Sequence, residues 1–284
     1  MLSQFEIINF PAALIVLAFF ALAVGSFLNV VIYRLPLMLK AEQENECHHE
    51  AKQESITKIN LFLPRSFCPV CKTPVPVWFN IPLLSYCLLR GRCRHCKQRI
   101  SIRYPIVELL SCLFSLLAAW YFGFTITLLF VLFYIWILIA LFFIDLEHQL
   151  LPDSLTLSLL WLGLIANTQS LFTTLPDAVL SAALAYLALW LFIKLFYLLT
   201  HKIGMGNGDF KLFAAFGAWF GWVQLPFILL FASLTGAIIG FTYLKYQGKT
   251  KETPIPFGPF LCLAGIISIF WGKVIMHWYL SFWF

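Results

Sequence analysis

Between Tyr104 and Ile193 the chain carries no lysine and no arginine. A helix needs roughly 20 apolar residues to cross a hydrocarbon core about 30 Å thick. This stretch holds several such runs in succession, separated only by short polar links. With no water in the bilayer core, each run has to satisfy its backbone hydrogen bonds internally, as a helix does. The whole chain agrees: 61% of its 284 residues are hydrophobic, 11% are charged and the mean hydropathy is +0.88. That is the profile of an integral membrane protein and not of a soluble globule.

The placement of charge says more than the net value of +6. Twelve of the nineteen Lys/Arg lie between Arg34 and Arg103. A nucleic-acid surface would not be fenced so closely by apolar runs, so the expected surroundings are membrane lipid, with no nucleic acid. The positive-inside rule accounts for the pattern and puts residues 34–103 in the cytoplasm. The first apolar run, Pro11 to Tyr33, has no Lys or Arg before it, and Arg34 and Lys40 follow it. That is the pattern of an uncleaved anchor with its N-terminus outside. Further spans are expected at 104–122, 125–144, 154–172, 178–200, 210–222, 225–245 and 257–279. The fold class is therefore an all-α polytopic membrane protein of about eight transmembrane helices, with a small cytoplasmic insert after the first. The segment at 210–222 is short enough to be tilted, interfacial or reentrant. The domains expected are an N-terminal transmembrane helix (1–33), a cytoplasmic insert (34–103) and a membrane domain (104–284). Segments 145–153, 201–209 and 246–256 then face the same side as the insert.

The insert holds six of the eight cysteines. Cys68-Pro-Val-Cys71 and Cys93-Arg-His-Cys96 are two CxxC pairs with twenty-one residues between them. Each can present two thiolates to one ion, and four thiolates close a tetrahedral structural zinc site. Two disulfides are the alternative, disfavoured on a reducing cytoplasmic face. Cys47-His48-His49 falls in a polar segment, AEQENECHHEAKQES, that reads as a solvated loop. Cys87 reads as packing, and Cys112 and Cys262 as small apolar residues of membrane spans.

After Tyr104 the acids are few, and ionisable groups near membrane depth are functional candidates. Asp153 and Asp177 each follow Leu-Pro and precede an apolar run, the pattern of helix N-caps. Glu147 and His148 read as wet interfacial side chains. Glu108 can pair with Arg103 or line a polar site. Asp145 follows YIWILIALFFI and ends a span, where a carboxylate opposes the helix dipole. Asp209 closes GMGNGD, which has more glycine than a cap requires. By the topology above both aspartates lie at one membrane surface. Two carboxylates at the ends of different spans can share a proton and activate water. The helix ends suggest Asp209, aided by Lys211, as the charged base and Asp145 as the neutral donor.

Six segments in this order resemble a known family, the bifunctional type IV prepilin peptidases/N-methyltransferases. They are VGSFLNVVIYRLP (24–36), the two CxxC pairs, RYPIVELL (103–110), IDLEHQLLPD (144–153), GMGNGDFKL (204–212) and TPIPFGPFL (253–261). GxGD alone is shared with presenilin-like intramembrane aspartyl proteases; with the cysteine insert it is specific. The resemblance implies a bacterial inner-membrane, multi-pass enzyme acting at the cytoplasmic face. It implies cleavage of the leader of prepilins and type II secretion pseudopilins, then methylation of the new amine from S-adenosylmethionine. It places the catalytic pair on Asp145 and Asp209, associates the zinc-binding insert with methyl transfer, and matches Gly91 to a position important for that step. GMGNGD would then be a turn that lets an extended peptide approach Asp209.

Two other classes compete. A proton-coupled secondary transporter would use Asp145 and Asp209 for coupling, with GMGNGD as a broken helix. A zinc-dependent assembly protein would carry inert acids. Replacing the aspartates separates them: a protease loses cleavage, a transporter loses flux, a scaffold loses neither.

Overall fold

The structure, a computed structural model, describes residues 4–47, 60–61, 67–68, 70–74, 76, 81–201, 205–247 and 256–281. Regular structure among them is helical, apart from two isolated β-bridges in the insert. The chain divides into two compact units, Met1–Phe124 and Thr125–Phe284.

The first unit is built on α1 (Gln4–Cys47), the short α2 (Leu84–Leu88) and α3 (Arg103–Phe122). The first helix does not stop at Tyr33. It runs on to Cys47, so residues 41–47 are helix and not loop. The reason is local: Lys40, Ala41, Glu42, Gln43 and Glu44 are all strong helix formers that a solvated helix tolerates. His48 and His49 lie outside the described residues. α1 packs along α3 through small and polar residues. Ser111 donates to the Ala21 carbonyl, and the Asn29 amide donates to the Tyr104 carbonyl at 3.0 Å. At the far end Phe10 meets Trp120 and Phe124 edge-on. Such contacts hold helices together where lipid supplies no hydrophobic drive. Arg34 is buried and donates to the carbonyls of Asn60 and Leu61.

The second unit holds α4 (Ile126–His148), α5 (Asp153–Asn167), α6 (Leu175–Thr200), α7 (Asn207–Phe220), α8 (Leu225–Gln247) and α9 (Gly258–Ser281). Its centre is α7, where every residue from Leu212 to Phe220 is buried. Three glycines bring neighbours against it. A Cβ on Gly163 of α5 would meet Trp219 at 2.5 Å, one on Gly265 of α9 would meet Phe216 at 2.5 Å, and one on Gly217 itself would meet the Ser181 carbonyl of α6 at 2.7 Å. By contrast, α6 turns large apolar side chains outward, among them Leu184, Leu187 and Leu191.

Among the described residues, eight helices of 14 residues or more lie where the eight spans are expected. Six of them, α1, α3, α4, α6, α8 and α9, are long and apolar enough to cross a membrane. α5 has 15 residues and α7 has 14. At 1.5 Å per residue α7 measures about 21 Å, less than a hydrocarbon core. The span expected at 154–172 ends at Asn167 because that side chain has other duties. Its amide nitrogen donates to the carbonyls of Ala218 and Trp219, at the end of α7. Its oxygen accepts from the N–H groups of Phe172 and Thr173. The last carbonyls of a short buried helix are thus satisfied without water.

Candidate active site

Asp145 lies in the last turn of α4 and Asp209 in the first turn of α7, both in the second unit. They are 6% and 7% exposed. Leu151 lies against both Gly208, the neighbour of Asp209, and Gly258, which abuts Asp145 Oδ2, so the structure brings the two sequence candidates into one region. Asp145 Oδ2 and Asp209 Oδ1 have no protein hydrogen-bond partner. Buried carboxylate oxygens are rarely left so.

Each carboxylate is held by a helix start. Asp209 is the third residue of α7, and its Oδ2 accepts the Gly206 N–H at 3.2 Å. Asp145 ends α4, and its backbone carbonyl accepts from Gln149, whose left-handed φ of 52° turns the chain. Its carboxylate faces the N–H of Gly258, the first residue of α9. Gly258 lies within TPIPFGPFL but is not among the residues the sequence marks as candidates. A Cβ there would stand 2.6 Å from Asp145 Oδ2. No sequence signal marks Gly258, because a glycine directly before the proline that opens an apolar run is an ordinary helix start. Asp145 does stand at a helix end and Asp209 at a helix start, as expected, but Asp145 also has a helix start opposite it. The N-terminus of α9 faces Asp145 as that of α7 faces Asp209.

The neighbours correct several expectations. Lys211 does not serve Asp209: its ammonium sits 2.6 Å from the Asp153 carboxylate, across α5 and α7. Asp153 is not an N-cap; that position is Pro152, and Asp153 lies in the first turn. Asp177 is not one either. Thr174 caps α6 by accepting the Asp177 N–H, and its hydroxyl donates to the Asp177 carboxylate at 2.6 Å, a reciprocal cap. Gly208 does not line an open turn: a Cβ there would meet the Leu151 Cβ at 2.6 Å. Leu151 also lies against Gly258, so it is wedged between the helix starts that hold the two acids. Gly204 lies outside the described residues.

In the first unit the four cysteines converge. The Sγ atoms of Cys68, Cys71, Cys93 and Cys96 all lie within 4.8 Å of one another. The Cys68–Cys96 separation is 3.8 Å and the Cys71–Cys93 separation 4.0 Å. Tetrahedral Zn–S bonds of about 2.3 Å require sulfurs about 3.8 Å apart. The donor set fits such an ion. Both knuckles fold alike. Cys68 N–H donates to the Thr73 carbonyl and Cys93 N–H to the Gln98 carbonyl, while Lys72 and Lys97 take left-handed φ of 58° and 59°. The Thr73 hydroxyl donates to Cys71 at 3.2 Å and lowers that thiol's pKa, while Cys96 in the same cluster is pushed up. Cys87 is exposed and outside the cluster.

Gly91 precedes the second knuckle with φ 65°, and a Cβ would stand 2.9 Å from the Tyr86 hydroxyl. A side chain here is opposed both by the backbone and by the space. Glu108 is buried and lines a polar site, as one of its two expectations has it: it accepts the Leu83 N–H at 2.8 Å.

Two family models match. The bacterial peptidase A24 N-terminal domain covers residues 19–122, and the type IV leader peptidase family covers residues 132–241. The chain is 62% identical to a prepilin leader peptidase/N-methyltransferase of Legionella pneumophila over 98% of both chains. It is 50% identical to one of Pseudomonas aeruginosa, over 92% of this chain and 91% of the other. It is 48% identical to one of Stutzerimonas stutzeri with the same coverage. No solved structure matches.

Proposed function

The chain belongs to the type IV leader peptidase family, and from that premise we propose that Asp145 and Asp209 are its proteolytic pair. The enzyme is a prepilin leader peptidase and N-methyltransferase of the bacterial inner membrane. One carboxylate takes a proton from the attacking water while its protonated partner donates to the scissile carbonyl. The water oxygen bonds to the carbonyl carbon, the C–N bond breaks, and the leaving nitrogen gains a proton to become the free amine of the mature pilin. That amine is the methyl acceptor, and S-adenosylmethionine supplies the methyl group.

The observation that carries the reading is the pair of buried carboxylates on different helices, each with an unpartnered oxygen. Two such groups close together resist double ionisation, which suits a shared proton. Substrates include pseudopilins of type II secretion as well as prepilins. The active site faces the cytoplasm, with the N-terminus outside. The four cysteines hold one structural zinc, which braces an insert too small to build a large core, and the insert, through Gly91, serves methyl transfer. The transporter alternative finds no support among the relatives. Asp145→Asn and Asp209→Asn test the pair: each should lower prepilin cleavage by about 100-fold or more. Near wild-type cleavage by either would refute the assignment.

A further inference from the structure

Glu108 is a buried carboxylate that proteolysis leaves unused, 7% exposed on α3. Its Oε2 accepts the backbone N–H of Leu83 at 2.8 Å, and the Ser26 hydroxyl of α1 also donates to it. The place is built for it. Gly25 lacks a side chain, and a Cβ there would come within 2.7 Å of the Glu108 Cα. α1 and α3 therefore close tightly around the carboxylate.

The group it holds is strained. Leu83 has φ 58° and ψ −48°, which non-glycine residues seldom adopt. The Pro82 carbonyl accepts the Leu84 N–H at 2.6 Å, so Pro82–Leu84 form a γ-turn of the rare, strained hand. Such a conformation persists only when its surroundings over-determine it, and it tends to mark functional positions. Here the surrounding group that fixes it is Glu108. From Leu83 the chain enters α2 directly. The Tyr86 carbonyl of that helix accepts the Gly91 N–H at 2.9 Å. The Tyr86 hydroxyl fills the space where a Gly91 side chain would be. Carboxylate, γ-turn, α2 and the Gly91 turn are thus one connected device.

We propose that Glu108 is a positioning residue for methyl transfer. Its carboxylate fixes the γ-turn at Leu83 and through α2 sets the place of the Gly91 turn. The proposal rests on the reading that the insert serves methylation. Glu108 does its work by accepting a hydrogen bond, so a neutral acceptor of the same shape suffices.

The test uses the full-length protein in detergent. Methylation of a mature pilin beginning with phenylalanine is measured with S-adenosylmethionine, beside prepilin cleavage and zinc content. Glu108→Ala should lose methylation by about tenfold or more while cleavage stays within about twofold of wild type. Glu108→Gln should keep methylation within about threefold, because its amide oxygen still accepts the Leu83 N–H. Wild-type methylation by Glu108→Ala overturns the proposal. So does equal loss of both activities, which marks a general packing role. So does a Gln variant as damaged as the Ala one, which would give the negative charge a direct part. Gly91→Leu, measured alongside, separates the two claims. If it methylates normally, the assignment of methylation to the insert fails. If it is inactive while Glu108→Ala is active, only the positioning role fails.

Discussion

At the scale of single residues, the site depends on what glycine omits. Gly258 leaves room for the Asp145 carboxylate against the start of α9. Gly258→Ala would place a methyl 2.6 Å from Oδ2 and force the carboxylate or the helix to move. Misplacement on this scale commonly costs about 100-fold. We expect prepilin cleavage to fall by at least about tenfold with methylation of mature pilin unchanged; a variant that cleaves normally would show that Asp145 tolerates displacement. The two aspartates were legible in the sequence because acids are rare after Tyr104 and each sat where apolar pattern gave it no reason to be. Gly258 and Leu151 were not legible. Their parts depend on which helix starts meet, and a glycine or leucine beside an apolar run looks the same whether or not a carboxylate lies opposite. The destination of Lys211 was misread for a similar reason. Sequence proximity to Asp209 suggested a pairing, while the helical path turns the ammonium toward Asp153 on α5. That pair is exposed, so its loss should cost at most about 1 kcal/mol.

At the scale of elements, the short central helix is the informative one. Its length was visible in the sequence, its surroundings were not. α7 sits among α5, α6 and α9 with its C-terminal carbonyls bonded by Asn167. Asn167 is fully buried and uses both its amide nitrogen and its oxygen. Asn167→Ala leaves buried backbone groups of α5–α6 and α7 unpaired, at about 1–3 kcal/mol for each. Thermal unfolding in detergent should show a clear drop in midpoint, and cleavage should fall with it because α7 carries Asp209. An unchanged midpoint would mean that other groups satisfy the end of α7. The length of α1 was hidden for the opposite reason. Its polar tail after Lys40 has strong helix formers but no apolar face, and patterning that looks for a buried stripe reads it as loop. The convergence of Cys68, Cys71, Cys93 and Cys96 was legible, since CxxC spacing fixes knuckle geometry locally. Its strained turn at Leu83 was invisible, since nothing in NIPLLSY announces a left-handed leucine.

At the scale of the whole molecule, two activities share one chain, and the residues proposed for each lie in different units of it. Charge placement supports an orientation with the insert in the cytoplasm. An impermeant thiol reagent should therefore reach the exposed Cys87 in inside-out vesicles and not in intact spheroplasts; the reverse would invert the topology. Elemental analysis of protein purified without chelator should give about one zinc per chain. Cys93→Ser should lose the metal and reduce methylation at least as much as cleavage, because the insert is what the ion braces. Protein free of metal yet fully active would remove the zinc from the account. The central claim is the proteolytic pair, and the most direct measurement is product mass. Wild-type, Asp145→Asn and Asp209→Asn proteins are each incubated with prepilin, and separately with mature pilin and S-adenosylmethionine. Both variants, membrane-inserted and zinc-loaded, should leave prepilin uncut while adding the methyl mass to mature pilin. A variant that releases the leader at near wild-type rate, or one that loses both products together, would contradict that claim.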